Sequence, residues 1–487
     1  MEGKCEMDRK DRPGKTVVIG NPITEGSIPV QLMLFFFPIL IGSLFQQLYN
    51  MVDAVIVGRY LGKAALGAVG GSTYMLINLI VYLFQGLANG AAVTGAQAYG
   101  AGRKERFGQV VQTSMVLSIA AGLLFTGLGI WLFPVVLRRI GTPKEVLGPA
   151  TIYVTIFSAG FLPSCIYNIG AGLVRATGDS RRPLFCLIAA SVVNIALDQL
   201  FIAIFHWGVA GAAWATVIAQ CVSAVLVLAL LTGKDAPYQL RLSRQDGAGQ
   251  PRRSSRDTFY LFRQIGSGVD KEILKKILGI GIPSGIQADL YSVANLIMQI
   301  QVNTYGTNTV AALSAYEKID GFFWMTMTAF GTAITTFCGQ NFGAGEWKRV
   351  RQGMHICFGL AAVTAVGISA VFYSFAPHLI AWFTSDEEVI AIGAGLMMQL
   401  MPFYVTYVWT EIYAGGIRGC GQSVVPMAIT AVGVCLLRVI WTGVVAWTDG
   451  SAAMLMVGYP MTWAITSAAI MVYYWKGNWM RIPSAGG

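Results

Sequence analysis

The stretch CLIAASVVNIALDQLFIAIF, residues 186–205, sets an aspartate, Asp198, inside a run that is otherwise almost wholly apolar. An apolar run of about 20 residues can cross a bilayer as a helix, and such runs recur along the 487 residues. The chain is 55% hydrophobic and 12% charged, whereas soluble domains carry about 25% charged residues. The sequence therefore predicts an all-α polytopic membrane protein whose helices satisfy their own backbone groups.

The charge and the cysteines exclude several other classes of protein. The net charge is +10, but in a membrane protein an excess of Lys and Arg collects in the loops of one face, so we expect no nucleic-acid partner. The eight cysteines show no paired spacing, which predicts neither disulfides nor a cysteine metal site. The first 29 residues are polar and mixed in charge, so no cleavable signal peptide is expected.

The apolar runs predict twelve transmembrane helices in two lobes of six. The lobes span 30–232 and 271–476, a basic Gly- and Ser-rich linker covers 233–270, and the tails are 1–29 and 477–487. The predicted helices are 30–57, 71–98, 108–137, 148–174, 183–204, 208–232, 272–302, 309–340, 352–382, 389–417, 424–447 and 452–475.

The positive charges predict how these helices are oriented. Of the 34 lysines and arginines, 27 fall on the face that carries both tails and the linker, and five fall on the other face. The remaining two, Lys318 and Arg438, lie within predicted spans. Because cytoplasmic loops are enriched in Lys and Arg, both termini and the linker are expected in the cytoplasm, with the chain in the cytoplasmic membrane.

The two halves of the chain resemble each other. AQAYGAGRKERF at 96–107 matches GQNFGAGEWKRV at 339–350, and GLVRATGDSRRP at 172–183 matches GGIRGCGQSVVP at 415–426. Both pairs are offset by 243 positions. Six helices per half is an even number, so the repeats share one orientation, which is the two-lobe layout of a secondary transporter with substrate near the lobe interface.

The glycine-rich ends of these motifs have a simple structural explanation, since glycine caps helices and lets the chain turn. Arg175 and Arg418 occupy matching positions in the repeats. We interpret them as anchors or gate residues at the cytoplasmic end and not as a binding site.

The first lobe contains ionisable side chains at a depth where they are costly. Asp198 lies about 15 residues into its predicted helix, roughly 22 Å from the cytoplasmic end, and Asp53 and Thr216 reach a similar depth on two other helices. Asn194 is one turn from Asp198 on the same helix face. The interior of this lobe offers no Lys or Arg, and two unpaired carboxylates in a medium of low dielectric cannot both stay ionised.

Two kinds of neutral state could satisfy these residues. Asp53, Asn194, Asp198 and Thr216 could together hold a coupling cation, either a proton or Na⁺, because a hard cation suits oxygen ligands. The alternative is a protonated Asp198 that is hydrogen-bonded to Asn194 and has no further role.

The second lobe differs because it contains a cation. Asp289, Glu317, Asp320 and Arg438 reach a similar depth, so a structural ion-pair network is one interpretation and contact with substrate is the other. Glu411 lies nearer the cytoplasmic end and could face the vestibule there.

Aromatic and methionine residues near these acids suggest a substrate cavity. They lie in GFFWMTMTAF at 321–330, which includes Trp324 and Met325, and in MMQLMPFYVTYVW at 397–409. Methionine is adaptable and aromatic rings attract organic cations. The alternative is an ordinary packing or lipid-facing surface.

At this point the motifs together resemble one family. PILIGSLFQQLYNMVDAVIVGRYLG at 38–62, ANGAAVTGAQAYGAG at 88–102, the 172–183 motif and NIALD at 194–198 resemble the multidrug and toxic compound extrusion (MATE) family. The resemblance covers about residues 25 to 475. It implies a MATE-type fold of twelve helices in two lobes, and export of amphipathic, often cationic, small molecules against an inward flow of Na⁺ or H⁺. It implies neither an enzyme nor a cofactor, and we expect a monomer in the lipid bilayer.

The resemblance also implies a site. Carried over by position, the family's first-lobe cation site falls on Asp53, Asn194, Asp198 and Thr216. Another branch of the family has an essential Glu on helix 7 and an Asp on helix 10, where this chain has Tyr291 and Glu411. That difference favours coupling in the first lobe. Pro38 could act as a hinge in helix 1 or mark a static kink.

Three other functions are less consistent with the sequence. A lipid or lipid-linked oligosaccharide flippase of the same superfamily should have a cationic cavity, whereas the predicted spans hold six acids and two bases. A major-facilitator transporter should carry a different 2–3 loop from GAGRKERFGQ. A membrane-embedded enzyme should show a catalytic motif, but the three histidines are scattered near the ends of spans.

Overall fold

A computed structural model describes residues 21–233 and 269–480. Across these two ranges the chain is helical and has no strand, which confirms the predicted all-α class. The tails 1–20 and 481–487 and most of the predicted linker, 234–268, lie outside the described residues. We call the end of the bundle that carries Gly233 and Val269 the linker end, and the opposite end the far end.

The first half of the chain forms eight helices. They are α1 Pro22–Glu25, α2 Ile28–Gly70, α3 Ser72–Gly100, α4 Lys104–Arg139, α5 Lys144–Ala159, α6 Phe161–Ala176, α7 Arg181–Asp198 and α8 Gly208–Thr232, with a π-helical segment, Gln199–Ile204, after α7.

The second half forms nine more. They are α9 Lys271–Val302, α10 Thr307–Gly343, α11 Trp347–Ala381, α12 Glu387–Leu400, α13 Tyr404–Gly419, α14 Val424–Thr430, α15 Leu437–Trp447, α16 Ala452–Met456 and α17 Gly458–Lys476. A second π-helical segment, Ala431–Leu436, joins α14 to α15, and 3₁₀ turns follow α9 and α12.

The helix boundaries confirm the internal repeat. Equivalent helices begin or end 243 positions apart at six boundaries, which relates helices α2–α7 of the first lobe to helices α9–α14 of the second. The matched starts are Ile28 with Lys271, Lys104 with Trp347, Lys144 with Glu387 and Arg181 with Val424, and the matched ends are Gly100 with Gly343 and Ala176 with Gly419.

Nine helices in the described ranges are long and apolar enough to cross a membrane, and the bent pair α5–α6 would make ten. The long helices α9 and α10 are not among the nine. The second of these carries Glu317, Lys318 and Asp320, which lower its apolar character. The protein is thus a multi-pass membrane protein, and the count of twelve crossings stays a prediction.

Several predicted helices are interrupted. The predicted helix 148–174 is two helices that meet at Gly160 with a bend of 48°, and the predicted helix 389–417 is broken by a 3₁₀ turn that contains Pro402. Proline lacks the N–H that a continuous helix needs, and glycine adds little stability to one. Pro38, in contrast, does not interrupt α2, which is kinked instead at Gly62, where φ is 79°.

The glycine-rich motifs cap helices, as the simple structural explanation predicts. Gly102 and Gly345 follow α3 and α10 with φ of 69° and 78°, and Gly178 and Gly421 follow α6 and α13 with φ of 99° and 95°. Glycine adopts this left-handed conformation without the steric cost that other residues have.

The first helix of each lobe begins in the core of the other lobe. Leu32 and Phe36 of α2 are buried in the second-lobe core, where Phe36 stacks on Phe330 at 4.0 Å. Ile273 and Ile277 of α9 are buried in the first-lobe core. This reciprocal exchange at the linker end ties the lobes together with apolar surface.

Glycines on α3 and α9 bring the lobes into backbone contact. A Cβ on Gly86 would lie 2.5 Å from the carbonyl oxygen of Gly281 and 2.6 Å from the Cα of Gly285. Gly90 also faces Gly281. Two glycine pairs at four-residue spacing therefore cross each other, which is how small residues allow close helix packing in a membrane.

Candidate functional site

The cation site predicted in the first lobe centres on α7. Asn194 and Asp198 lie one turn apart near the end of this helix, where they are 2% and 0% exposed. Neither oxygen of Asp198 and neither polar atom of Asn194 makes a hydrogen bond of normal geometry with any described residue. The structure thus shows no hydrogen bond between Asp198 and Asn194, and the choice between a cation site and a purely structural pair stays a prediction. Buried polar groups are nearly always paired, so this pair is an exception that calls for a function.

Asp53 on α2 faces Asp198 across the packed helices α2 and α7. The two carboxyls lie close enough to interact electrostatically. The Oδ1 atom of Asp53 is also buried without a hydrogen-bond partner. The salt bridges within residues 21–233 and 269–480 all lie at the linker end and involve neither residue. No salt bridge in these ranges therefore pairs either carboxyl with a basic residue, and the cation site stays a prediction.

The π-helical segment Gln199–Ile204 begins at the residue after Asp198. It packs against α2 and α8, so the helix changes its hydrogen-bond register where the three helices meet. Such segments are rare and occur frequently at functional sites.

Thr216 lies on α8, which packs against both α7 and α2. Its hydroxyl donates to the carbonyl oxygen of Ala212 at 3.1 Å. The oxygen of that hydroxyl keeps lone pairs that can accept a hydrogen bond or bind a cation. Its contact with the two carboxylates stays a prediction.

Two tyrosines that the sequence analysis did not select complete the surroundings of this acidic pair. Tyr49 lies one turn before Asp53 on α2, and Tyr153, 5% exposed, comes from α5. Both lie within electrostatic range of both carboxyls. The spacing of Tyr49 from Asp53 could have indicated the first, whereas no pattern in the sequence relates Tyr153 to α7.

In the second lobe, each carboxyl oxygen of Asp320 accepts a hydrogen bond from a side chain. Its carboxyl accepts a hydrogen bond from the indole N–H of Trp324 at 2.6 Å and a short one from the hydroxyl of Tyr404. The hydroxyl of Tyr404 is also 2.7 Å from that of Tyr316. Asp320 therefore has the neutral donors that Asp198 lacks.

Aromatic rings surround this group. The ring of Trp324 lies 4.6 Å from Tyr407 and 5.8 Å from Trp463, between ring centroids. Trp463 in turn lies 5.5 Å from Tyr404. Met325 is half-buried next to Trp324. The structure thus places an acidic side chain among aromatic faces, which is the composition that binds organic cations, and the role of these residues in binding substrate stays a prediction.

The predicted ion-pair network is not formed. Arg438, 2% exposed, makes no salt bridge within the described ranges and instead donates to Asn295 Oδ1 at 2.8 Å and to Thr462 Oγ1 at 3.2 Å. Its guanidinium lies 4.3 Å from the ring centroid of Tyr459. Neutral hydrogen bonds and an aromatic face take the place of the expected acids.

The other predicted acids of this lobe also lie outside any ion pair in the ranges that the structure covers. Glu317 is exposed. Asp289 has one carboxyl oxygen that is buried without a hydrogen-bond partner. It lies near Tyr82 of α3, at the interface between the lobes.

Glu411 is half-buried on α13 and contacts α10. It accepts a hydrogen bond from Tyr407 at 2.9 Å, and a Cβ on Gly331 of α10 would overlap its Oε1 atom. Tyr291, which occupies the helix 7 position of the family's other branch, lies close to Tyr407 and within electrostatic range of Glu411.

Comparison with known proteins shows which family has this arrangement. The sequence model of the MatE family matches residues 38–200 and 283–443, one segment in each lobe. The chain belongs to the MatE family. Transporters of the MATE family are membrane efflux transporters and not enzymes, so this chain is a MATE family transporter.

Similar sequences and structures extend over nearly the whole chain. The Bacillus subtilis protein named "Probable multidrug resistance protein YoeA" is 27% identical over 461 residues, which is 93% of this chain and 95% of that protein. "Probable multidrug resistance protein NorM" of Thermotoga maritima is 25% identical, over 84% of this chain and 83% of that protein. These relatives do not favour the flippase alternative.

Two solved structures share the fold. A MOP superfamily transporter from Pyrococcus furiosus, described with reverse polarity of its binding pocket, gives a TM-score of 0.82 at 22% identity over 95% of this chain and 98% of that one. A multidrug resistance MATE family transporter in an outward-facing conformation gives a TM-score of 0.81 at 22% identity, with the same coverage of the two chains.

Proposed function

We propose that this MATE family transporter is an antiporter that couples efflux of small molecules to the entry of one cation at the acidic pair Asp53–Asp198. The observation that carries the proposal is a pair of neighbouring carboxyls, Asp198 buried and Asp53 half-buried, neither of which forms a salt bridge in the described ranges. Two such groups cannot both be ionised in a medium of low dielectric. A bound cation neutralises one of the two negative charges and so lowers the free-energy cost of burying the pair.

The oxygen atoms around the acidic pair suit a small monovalent ion. Carboxylate, amide and hydroxyl oxygens from Asp53, Asp198, Asn194 and Thr216 are hard ligands, and the two tyrosines can hold or orient a proton. Within the described ranges no three His, Cys, Asp or Glu residues are grouped to hold a metal ion. The site therefore fits H⁺ or Na⁺, which would be transported and not retained.

The mechanism follows from the charge. When both are ionised, the carboxylates of Asp53 and Asp198 repel each other. This repulsion favours an arrangement of the lobes in which water from the far end reaches and solvates them. Binding of the cation neutralises the pair, so α2 and α7 can pack closely and the lobes can change their relative orientation. Because coupling is reciprocal, release of substrate and binding of the cation promote each other.

The substrates are amphipathic small molecules, and we infer that many of them are cationic. Support comes from Asp320, which sits among Trp324, Tyr404 and Tyr407 in the second lobe, and from the names of the relatives as multidrug resistance proteins. In this setting the acid attracts a cation and the rings provide apolar and cation–π contact. Efflux carries the substrate out of the cytoplasm, with the linker end on the cytoplasmic side of the cytoplasmic membrane.

Substitution of Asp320 tests the substrate class. We expect Asp320→Asn to lower the transport of a cationic dye about ten-fold relative to an uncharged substrate of similar size, because one charge interaction near 1.4 kcal/mol is lost. Asparagine can accept the hydrogen bond from the indole N–H of Trp324 with its carbonyl oxygen and donate its amide N–H to the hydroxyl oxygen of Tyr404, so both contacts and the packing can be retained. The measurement is efflux of both substrates from the same cells, with Trp324→Phe as a variant that keeps the acid. Equal loss for both substrates would show that Asp320 is structural.

The coupling ion is identified by transport in proteoliposomes. Purified protein is given a Na⁺ gradient without a pH gradient and then a pH gradient without Na⁺, with a fluorescent cationic substrate inside. We expect one of the two gradients to drive the substrate against its own gradient. If neither gradient does so, the antiport proposal fails.

A further inference from the structure

Two glutamines at matching positions of the repeat join the lobes at the linker end. Gln97 of α3 donates from Nε2 to the carbonyl oxygen of Gly419 at 2.8 Å, and Gln340 of α10 donates from Nε2 to the carbonyl oxygen of Ala176 at 2.7 Å. Both donors and both acceptors are 243 positions apart. The two bonds are therefore one interaction made twice, in opposite directions across the lobe boundary.

The other atom of each amide also bonds across the lobe boundary. Gln97 Oε1 accepts from Lys276 Nζ at 2.7 Å, and Gln340 Oε1 accepts from Asn21 Nδ2 at 3.0 Å. Lys276 belongs to the first helix of the second lobe, and Asn21 directly precedes the first helix of the first lobe. Each glutamine thus makes two hydrogen bonds, and all four join opposite lobes.

The helices that carry these glutamines are in backbone contact. A Cβ on Gly100 would overlap the carbonyl oxygen of Gln340, and a Cβ on Gly343 would overlap that of Gln97. A Cβ on Gly339 would lie 2.9 Å from that of Ala96, its counterpart in the repeat. Small residues four positions apart thus allow α3 and α10 to cross closely beside the two amides.

Burial makes these bonds more important than the ion pair nearby. Gln97 is 7% exposed and Gln340 is 0% exposed, so an amide that lost its partners without reaching water would be strongly penalised. Arg106 and Asp270 also join the lobes, at 2.9 Å, but the Arg106 side chain is 40% exposed. Exposed ion pairs add little, so the buried glutamine bonds are expected to contribute more to closure of this end than this ion pair does.

We propose that Gln97 and Gln340 are the gate residues of transport at the linker end, where they hold the two lobes closed against the compartment from which substrate enters. The gate opens when both amides release the carbonyl oxygens of Gly419 and Ala176 and become solvated. Because the two arms are equivalent by the repeat, each contributes to closure to a similar extent. This inference goes beyond the proposed antiport and holds whichever ion is coupled.

A native cysteine beside the gate reports its opening. Cys420 follows Gly419, the acceptor of the Gln97 bond, and is 5% exposed. Cys165 on α6, 0% exposed, is the control for general loosening of the fold. Two backgrounds are made, one that keeps Cys420 alone and one that keeps Cys165 alone, with the other cysteines replaced by alanine.

The experiment measures how fast a water-soluble maleimide labels each cysteine in purified full-length protein. We expect Gln97→Ala and Gln340→Ala each to raise the labelling rate of Cys420 roughly ten-fold, since each removes two hydrogen bonds. The double variant should raise it by the product of the two factors if the arms act independently. Arg106→Ala should change it less than about two-fold.

The labelling of Cys165 should stay unchanged in every variant. An unchanged Cys420 rate in the double variant would overturn the proposal, and so would an equal rise at Cys420 and Cys165, because both results mean that the glutamines do not control a local opening. If the double variant does not fold, each single variant still leaves one arm intact and decides the question by the same comparison.

Discussion

Asp198→Asn is expected to abolish cation-driven efflux and to leave the amount of protein in the membrane unchanged. Asparagine has nearly the shape of a protonated aspartate but cannot release a proton or balance the charge of Na⁺. The buried site is therefore neutralised permanently, and the energy of the cation gradient no longer reaches the substrate. The measurement is substrate efflux from everted vesicles on imposing each gradient, where the variant should match vesicles without the transporter.

The matched control is Asp179→Asn. Asp179 accepts backbone N–H bonds from Arg181 and Arg182 at the linker end and forms a partly exposed ion pair with Arg182. Its amide variant can keep the backbone bonds, so transport should stay close to that of the wild type. Efflux by Asp198→Asn at the wild-type rate would defeat the assignment, because a merely structural, protonated Asp198 would tolerate this change.

Gly86→Ala is expected to cause a large loss of stability, because this glycine lies in backbone contact at the lobe interface. The added methyl would lie within about 2.6 Å of the Gly281 carbonyl oxygen and the Gly285 Cα, and backbone atoms cannot move aside as a flexible side chain does. Overpacking of this kind costs about 1–3 kcal/mol. The measurement is the thermal unfolding midpoint in detergent, which should fall clearly below that of the wild type.

Gly279→Ala serves as its control on the facing helix. A Cβ on Gly279 meets nothing within 4 Å, and alanine favours a helix more than glycine does by about 1 kcal/mol. This variant should be as stable as the wild type or slightly more stable. Equal midpoints for Gly86→Ala and the wild type would mean that α3 and α9 do not pack as closely as described.

The composition and apolar periodicity were enough to predict most of the helices. The eighth helix, Gly208–Thr232, has the predicted bounds, because a continuous apolar run is ended by glycine at one side and by a polar segment at the other. Local breaks were harder to predict. Gly160 and Pro402 interrupt long helices, and Gly62 kinks α2. The helices nevertheless run unbroken through Pro38 and Pro134, so the position of a proline alone does not predict where a helix breaks.

The acidic pair could be predicted because a carboxylate in an apolar run is rare and costly. The depths of Asp53 and Asp198, counted from the helix ends, led to the same site as the family resemblance. Arg438 was predicted less well. A buried arginine was expected to need an acidic partner, but amide, hydroxyl and aromatic groups surround Arg438. These partners come from other helices, and the spacing of residues in the sequence does not reveal which side chains will pack next to the arginine.

The sequence also showed the repeat without showing what it does. Gln97 and Gln340 were matched from the motifs, but their bonds run to backbone carbonyls of Gly419 and Ala176. A backbone acceptor leaves no mark in the sequence, since every residue has one. The contact between repeats therefore required the three-dimensional arrangement.

The central claim, that the acidic pair takes up one cation for each substrate released, is tested most directly by running the exchange in reverse. Proteoliposomes are given a substrate gradient with no imposed ion gradient, and the movement of H⁺ and of ²²Na⁺ is followed together in the wild type and in Asp198→Asn. We predict that in the wild type one of the two cations moves opposite to the substrate, and that in the variant neither does. Substrate movement without either cation in the wild type, or unchanged cation movement in Asp198→Asn, would contradict the account.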